Sequence, residues 1–488
     1  METRIIKEKY VEVGERFKVE FNGYTHEGLA IARINGKDRK GNEYINFPLF
    51  VFGAMNKEQG FVEITKMSKS YAYATMLRLF DENHSEYRTK PVCPKYSECG
   101  GCNIMHMNYK GQLAFKQQMV VDTLTKIGGF NNLKIEQIVG NSVPALYYRN
   151  KVQVPVGMKN NKTLCGFYKR ETHDIIPLEE CYIQTKDSTE IVKFTKNVLC
   201  EFGAKGYNEK TDKGDLRHIL VRKNHNEDEF MIVLIVKTID FIKENDLKLA
   251  IDKIIKRYPK VTSVILNLNN KKGNTILGEE CKTVYGLDYI TDELCGFKFR
   301  IGAKSFYQVN HNQCEKLYSL AMKAANLSKE DVVIDAYCGI GTIGIIASQF
   351  VNQVYGVEIV DEAIVNAKAN AKLNNVKNIK FVCAPAEKQI VKWMSEEIKP
   401  NVVIADPPRK GCDKVFIDTI IAMQIQKVVY ISCDPATLAR DAKILVENGY
   451  TIKYVQPVDL FPNTNHVENI MILEKESSCW WTFFLFSD

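Results

Sequence analysis

No apolar run in the chain approaches the roughly 20 residues needed to span a bilayer. Phe47 to Met55 and Trp480 to Phe486 both fall far short. The first 15 residues, Met1 to Glu15, are charged throughout and have no apolar core of the kind a secretory leader carries. Internal repeats are also missing, and 45% apolar with 26% charged residues is ordinary for a folded soluble chain. These features exclude collagen-like, coiled-coil and disordered classes, and they predict a cytoplasmic protein with no membrane association and no obligate protein partner. At about 100–200 residues per domain, 488 residues predict two to four domains.

Charge and cysteine are unevenly spread. Residues 301–488 carry 19 basic and 21 acidic side chains, whereas the first 300 carry 47 and 38. A basic excess on one portion favours a polyanionic partner there, although solvated lysine surface is the commoner cause. Of 14 cysteines, three fall in Cys93-Pro-Lys-Tyr-Ser-Glu-Cys99-Gly-Gly-Cys102. Scattered cysteines are ordinarily small buried hydrophobes, but a triplet in a glycine-rich loop points to a metal. A fourth ligand is then needed, and Cys181 in the polar turn Leu178-Glu-Glu-Cys181-Tyr suits it. Four thiolates suit zinc or an iron–sulfur cluster equally well. They leave no open metal position, so the site reads as structural.

The pattern of elements changes along the chain. Phe17–Phe21, Leu29–Ala32 and Gly60–Thr65 read as short strands separated by basic turns, which predicts a small closed barrel. The stretch Tyr71 to Pro91 reads as a connection, and Met105 to Ile127 as a helix. To about Arg300, strands such as Lys151–Val156 and Met231–Val236 mix with helices such as Asp246–Arg257, an α+β pattern. Strands and helices alternate regularly from Val332 onward, as expected of a doubly wound parallel sheet.

The candidate chemistry lies at the ends of those late strands. In Asp335-Ala-Tyr-Cys-Gly339-Ile-Gly341, an acid ends a strand and two glycines turn the chain into a helix. Glu358 ends the next strand, where a carboxylate suits the two hydroxyls of a ribose. The pattern is not G-x-G-x-x-G and its acidic start disfavours a pyrophosphate. S-adenosylmethionine, cationic and without phosphate, fits better. Asp406-Pro-Pro-Arg409-Lys-Gly411 ends the fourth strand, its prolines forcing an extended rim that aims Asp406 inward. Cys433 stands between the fifth strand and a helix, where a helix N-terminus stabilises thiolate, so it is the candidate nucleophile. Glu468, at the mouth of the last strand, suits a general base, although an inert exposed glutamate is the bland alternative.

Together these motifs resemble the RNA uracil-5-methyltransferases, specifically the iron–sulfur branch that acts on 23S rRNA. The likeness spans about residues 10–475 and rests on Ser305-Phe-Tyr-Gln308-Val-Asn310, Asp335–Gly341, Asp406–Gly411, Ser432–Asp441 and His466–Asn469, with Glu27-Gly28-Leu-Ala-Ile-Ala-Arg33 as the barrel signature. The resemblance implies an α/β chain built as an OB-like TRAM barrel binding RNA (1–70), an α+β central domain with the iron–sulfur loop (71–300), and a Rossmann-like S-adenosylmethionine-dependent methyltransferase domain (301–476). The tail 477–488 has no counterpart. It further implies a [4Fe–4S] cluster on Cys93, Cys99, Cys102 and Cys181, and methyl-donor contacts from Gln308, Tyr337, Glu358 and Asp406. Cys433 would be the nucleophile and Glu468 the base. Pro385 and Ala386 depart from the polar residue related sequences often carry near the adenine, so no contact is assigned there.

The implied reaction explains the residue types. C5 of uracil is a poor nucleophile, and addition of a thiolate to C6 makes it enolate-like. A base must then remove the C5 proton, and Asp406, if protonated, would orient the uracil edge. The target base must leave its stack to be reached. Arg149, Lys151, Arg217 and Arg222 are candidates for the RNA surface, with plain solvated charge as the bland alternative for each. Three other readings are a tRNA uracil-5-methyltransferase, a cytosine-5 enzyme, and a catalytically silent RNA-binding assembly factor. The second would carry a cysteine in or beside the Asp406 motif, where Pro-Pro-Arg stands.

Overall fold

Alternating small and large apolar residues build the first element group. In β1 (Arg16–Tyr24) every second side chain is buried, with Phe17, Val19 and Phe21 turned inward. β2 (Ala30–Lys37), β3 (Glu43–Val51), β4 (Gln59–Met67) and β5 (Ala72–Leu79) contribute Ala32, Leu49, Val62, Ile64 and Ala74 to the same core. The order β1-β2-β3-β5-β4 closes on itself as a barrel, so no edge is left. β4 and β5 approach closely at Gly60, where a Cβ would lie 2.5 Å from the Arg78 carbonyl oxygen. The stretch expected as a connection from Tyr71 therefore contains the strand that completes the barrel.

The structure is a computed structural model that describes residues 10–80, 84–142 and 144–476. The expected tail 477–488 lies outside the described residues. The chain forms two units: residues 1–119 with 168–176 and 461–465, and the remainder. The boundary falls within helix α1 (Tyr109–Lys126).

A seven-stranded sheet comprises β6 (Lys151–Lys159), β7 (Lys162–Tyr168), β8 (Ile175–Pro177), β9 (Leu216–Lys223), β10 (Phe230–Val236), β11 (Val261–Leu268) and β12 (Glu280–Gly286) in the order β12-β11-β10-β9-β6-β7-β8. Helices α2 (Lys186–Glu201) and α3 (Glu244–Arg257) cover one face, burying Ile191, Val192, Leu247 and Ile251 against Val152, Val221 and Leu234. The hairpin of β13 (Tyr289–Leu294) and β14 (Phe297–Gly302) meets β10 and β11. Its two-residue turn holds both Cys295 and Gly296 at positive φ, the type I′ geometry that hairpin twist favours.

Helix α4 (His311–Ala325), capped by Asn310, leads into the last sheet. Its strands are β15 (Val332–Ala336), β16 (Gln353–Glu358), β17 (Ile379–Cys383), β18 (Val402–Ala405), β19 (Lys427–Ser432), β20 (Tyr450–Val458) and β21 (Glu468–Lys475). Their order is β17-β16-β15-β18-β19-β21-β20. Helices α5 (Thr342–Ser348), α6 (Asp361–Leu373), α7 (Ala386–Ser395), α8 (Lys414–Ala422) and α9 (Pro435–Glu447) connect them. The sheet is parallel from β17 to β19, and β21 runs antiparallel to both β19 and β20, a departure from a purely parallel sheet. Strand order reverses at β15, opening a crevice between β15 and β18 where such sheets bind ligands. Among the described residues no helix is long and apolar enough to cross a membrane.

Candidate active site

The turn after β15 is built from residues that must leave ordinary backbone space. Tyr337, Gly339 and Gly341 all have positive φ, at 62°, 54° and 83°. A Cβ on Gly341 would come within 2.9 Å of the Phe381 ring, so glycine is required there on two counts. Asp335 is fully buried, and its Oδ2 accepts the Gly344 N–H at 2.8 Å, pinning the start of α5 to the strand. Its Oδ1 has no partner, and burial pushes the carboxyl up to about 8. Glu358 closes the turn from β16: one carboxylate oxygen accepts the Gly339 N–H at 3.2 Å, the other that of Val360 at 3.0 Å. Each oxygen keeps lone pairs for further donors such as vicinal hydroxyls. Tyr337 lies against the Phe416 ring, centroids 5.8 Å apart.

Gln308 is buried in the loop between β14 and α4. That loop is fixed from outside: Asn150 donates its side-chain N–H to the Gln308 carbonyl at 3.2 Å and its backbone N–H to that of Val309 at 2.8 Å. Asn310 donates to the Leu460 carbonyl at 3.0 Å. Phe306, between these anchored residues, is 70% exposed.

The second half of the site is assembled by strand register. Ser432 pairs with Asn469 where β19 ends and β21 begins, so Cys433 and Glu468 reach the same edge although 35 positions separate them in sequence. Asp406 joins them from the end of β18. Burial pushes Asp406 up to about 7, and burial with the neighbouring Asp406 charge pushes Glu468 up to about 8, the Arg409 cation opposing. Neither carboxyl makes a hydrogen bond among the described residues.

Cys433 departs from its expected state. The helix N-terminus is present, but Asp434 caps it by accepting the Ala436 and Thr437 N–H groups at 2.8 and 3.3 Å. Burial, then the Glu468 and Asp406 carboxylates, push the thiol up to about 12, against the Arg409 cation. Desolvation and nearby negative charge therefore favour the thiol over the effect of the helix terminus.

Two features were not legible as site residues. Arg409 stands in the electrostatic field of both Cys433 and Glu468, and its Nη2 lies 3.3 Å from His466 Nε2. Asp441, fully buried, accepts from Tyr430 Oη at 2.7 Å, the Cys412 N–H at 2.8 Å and Arg440 Nε at 2.7 Å, bracing the Asp406–Gly411 rim against α9. A Cβ on Gly411 would lie 2.6 Å from that carboxylate.

The four-thiolate site expected on the cysteine loop is not shown. Among the described residues no group of three or more His, Cys, Asp or Glu side chains is gathered to hold a metal. Cys93, Cys99 and Cys102 belong to the smaller unit and Cys181 to the larger. The loop is instead held through its backbone, with Arg170 Nη2 donating to the carbonyls of Cys99 and Cys102, each at 2.9 Å. Arg170 also lies 3.8 Å over the Phe52 ring.

A family model described as tRNA (Uracil-5-)-methyltransferase matches residues 275–476. An uncharacterised RNA methyltransferase of Bacillus cereus is 40% identical over 95% of this chain and 98% of its own. One from Listeria innocua is 44% identical over 92% and 95% respectively. The crystal structure of Pyrococcus abyssi tRNA (uracil-54, C5)-methyltransferase in complex with S-adenosyl-L-homocysteine shares the fold, with a TM-score of 0.70 at 24% identity, covering 93% of this chain and 99% of that one. A doubly wound sheet with a glycine turn beside its switch point and an acid ending the adjoining strand thus belongs to an S-adenosylmethionine-dependent RNA methyltransferase. The chain is a member of the RNA uracil-5-methyltransferase family.

Proposed function

We propose that the protein methylates C5 of a uridine in 23S rRNA, giving 5-methyluridine through a covalent bond between Cys433 and C6 of the base. The observation that carries this reading is the meeting of one thiol and two near-neutral carboxyls, from three strands, beside the glycine turn. S-adenosylmethionine supplies an electrophilic methyl group, and Gln308, Tyr337, Glu358 and Asp406 are the residues proposed to hold it. The unpartnered Asp335 Oδ1 and the two-sided Glu358 carboxylate suit such a ligand.

The Cys433 thiol gives its proton to Asp406 as sulfur bonds to C6, leaving Glu468 ionised, and the C5–C6 π electrons move toward O4. C5 then takes the methyl group, whose bond to the sulfonium sulfur would break with its electron pair kept by sulfur, leaving a neutral thioether. Glu468 accepts the C5 proton, the C6–S bond breaks, and its electron pair returns to sulfur. Asp406, carrying the proton taken from the thiol, donates to the uracil edge until it returns that proton to the released thiolate. Arg409 stabilises the thiolate as it forms and leaves, the role its field at Cys433 supports.

We further assign the barrel, expected over 1–70 and completed by β5 at Ala72–Leu79, to RNA binding as a TRAM domain, the stretch after it to residue 300 to a central domain carrying the cysteine loop, 301–476 to methyl transfer, and the protein to the cytoplasm. A [4Fe–4S] cluster on Cys93, Cys99, Cys102 and Cys181 belongs to the same reading. Its donor set is all thiol, the Gly101 N–H donates to Cys99 Sγ at 3.4 Å, and the Arg170 cation stands close to Cys99 and Cys102. Iron and acid-labile sulfide in the anaerobically purified protein, about four of each per chain, are the expected result. No step of methyl transfer runs through it.

A tRNA uridine is the second reading, favoured by the description of the family model and by the Pyrococcus enzyme, whose likeness extends over the barrel. Tritium release from C5-labelled 23S rRNA and tRNA transcripts, with Cys433→Ala beside the wild type, separates them. Release from rRNA alone, lost in the variant, supports the first. Release from tRNA alone keeps the chemistry and replaces the substrate. Tight RNA binding with no release from either would favour a silent binding factor.

A further inference from the structure

The last sheet ends at β17, which pairs with β16 alone and leaves its outer edge open. Helix α6 packs against that strand, and the turn joining them is tightly built. Asn375 stands at φ 55°, and the Val376 N–H donates to the Ala371 carbonyl at 2.9 Å, the bond of a helix that ends in a left-handed residue. Asn378 Nδ2 then donates to the carbonyls of Ser348, Val351 and Asn352 at 2.9, 3.1 and 3.2 Å, which anchors the entry to the strand. The turn therefore gathers Lys368 and Lys372 from the helix, and Lys377 and Lys380 from the strand arm, around one open groove of about 560 Å³. Ile379 and Phe381 line it between them.

The groove holds four cations and no anion. None of its nine lining residues is Asp or Glu, and all four lysines are exposed. Among the described residues, Lys380 meets the Tyr355 ring at 5.9 Å, and no carboxylate pairs with any of the four. Local reasons account for two of them. Lysine on an open edge strand discourages pairing with another chain, which suits Lys380, and a cation in the last turn of a helix suits Lys372. Neither reason covers Lys368 or Lys377. Lys368 and Lys372 also stand four apart on α6, a spacing at which like charges repel. On α1, α3, α7 and α8 that spacing holds ion pairs: Lys126–Asp122, Lys248–Glu244, Lys392–Glu396 and Lys414–Asp418. The groove is also set in the acidic portion of the chain, since residues 301–488 carry 19 basic and 21 acidic side chains.

We propose that this groove docks backbone phosphates of the RNA substrate at a distance from the nucleotide that is methylated. The proposal rests on RNA being the substrate, and not on which RNA or which base is modified. Four ammonium groups spread over two elements match serial phosphates better than one small anion. β17 lies three strands from β18 and four from β19, and its start is at the opposite end of the parallel strands from Cys433. At about 4.8 Å between strands and about 3.3 Å per residue, the groove stands on the order of 20–25 Å from the thiol. RNA held there is several nucleotides removed from the target, so the groove adds affinity without touching the reacting base. An acidic protein segment offers similar charge and is the other outcome of the test.

The four side chains make no hydrogen bond among the described residues, so they can be changed together. The full-length wild type is compared with the variant Lys368→Gln, Lys372→Gln, Lys377→Gln, Lys380→Gln, and with Lys368→Arg, Lys372→Arg, Lys377→Arg, Lys380→Arg. Binding of a labelled polyuridylate of about 40 nucleotides is followed across a potassium chloride series, with a melting temperature for each protein as the check on folding. The glutamine variant is expected to bind on the order of tenfold more weakly at 0.1 M salt, with the slope of log K against log[salt] reduced by about two to three, at roughly 0.7 per phosphate of a single strand. The arginine variant keeps the wild-type slope. An unchanged slope in the glutamine variant overturns the proposal. An unchanged RNA slope together with lost binding of polyglutamate overturns it too, and assigns the groove to an acidic protein segment. Wild type that binds no RNA at any salt overturns both this proposal and the reading of RNA as substrate. Binding is read without turnover, so RNA binding with the expected slopes but no tritium release would sink the uracil-5 chemistry alone.

Discussion

Two corners of one sheet edge handle carboxylates in opposite ways. At β15 and β16, Glu358 has a backbone N–H on each oxygen, and Asp335 has one on Oδ2. At β18, β19 and β21, Asp406 and Glu468 make no hydrogen bond among the described residues and stand close enough to Cys433 to hold its proton on. The first corner is shaped by main-chain donors, which fix Glu358 and one oxygen of Asp335 in place, although burial and neighbouring carboxylates raise Asp335 as well. The second is shaped by burial and like charge, which leave its groups poised to exchange protons near neutral pH. On the proposed function, the difference separates holding from reacting on a single scaffold.

Substitutions should respect that division. Cys433→Ala is expected to remove methyl transfer altogether, by on the order of 10³-fold or more in single-turnover rate, while S-adenosylmethionine binding stays unchanged by calorimetry. Glu468→Gln should cost about 10²–10⁴-fold in turnover and, unlike Cys433→Ala, leave a methylated RNA–protein adduct that survives a denaturing gel. If it instead weakened methyl-donor binding without an adduct, the corners would not be separable.

Glu358→Gln should act in the reverse sense, raising KM for S-adenosylmethionine about tenfold, or about 1.4 kcal/mol, with kcat within a fewfold. A matching fall in kcat with unchanged KM would contradict its assignment to holding. Smaller again is the pH effect. Asp406 and Glu468 are pushed up to about 7 and about 8, so the ionised base is lost as pH falls through that window. Single-turnover rates should therefore rise from pH 6 to 9 and level off, and a flat profile would show that these groups do not titrate in the reaction. The smallest effect is expected for Asp441→Asn, which loosens the rim through Tyr430 and Arg440 and should cost about 1–3 kcal/mol of stability in urea unfolding.

Much of the late sheet was legible because its strands are short apolar runs bounded by acid, glycine or proline, as at Val332–Ala336 and Val402–Ala405. The barrel was legible in part. β5 starts as Ala72-Tyr-Ala-Thr, whose small buried residues carry little hydrophobic signal, and β3 shows alternation in its second half alone. Helix α4 was missed although Asn310 caps it and Cys314, Leu317, Tyr318 and Ala321 line its buried side. At the site, the positions of Cys433, Glu468 and Asp406 followed from strand ends. The state of Cys433 did not, because it depends on carboxylates delivered by β18 and β21, and sequence reasoning weighed the adjoining helix alone. Arg409 was read as a rim residue, since its partner His466 lies 57 positions away.

The central claim, that Cys433 bonds to C6 of a uridine, is tested most directly with RNA carrying 5-fluorouridine at the target site. Fluorine at C5 cannot be removed as a proton, so the adduct should persist after methyl transfer. Incubation with S-adenosylmethionine, digestion and mass spectrometry are expected to recover the methylated fluoronucleotide on the peptide containing Cys433, and nothing from Cys433→Ala. Full methylation of ordinary RNA with no fluorinated adduct, or an adduct on a different cysteine, would contradict the account.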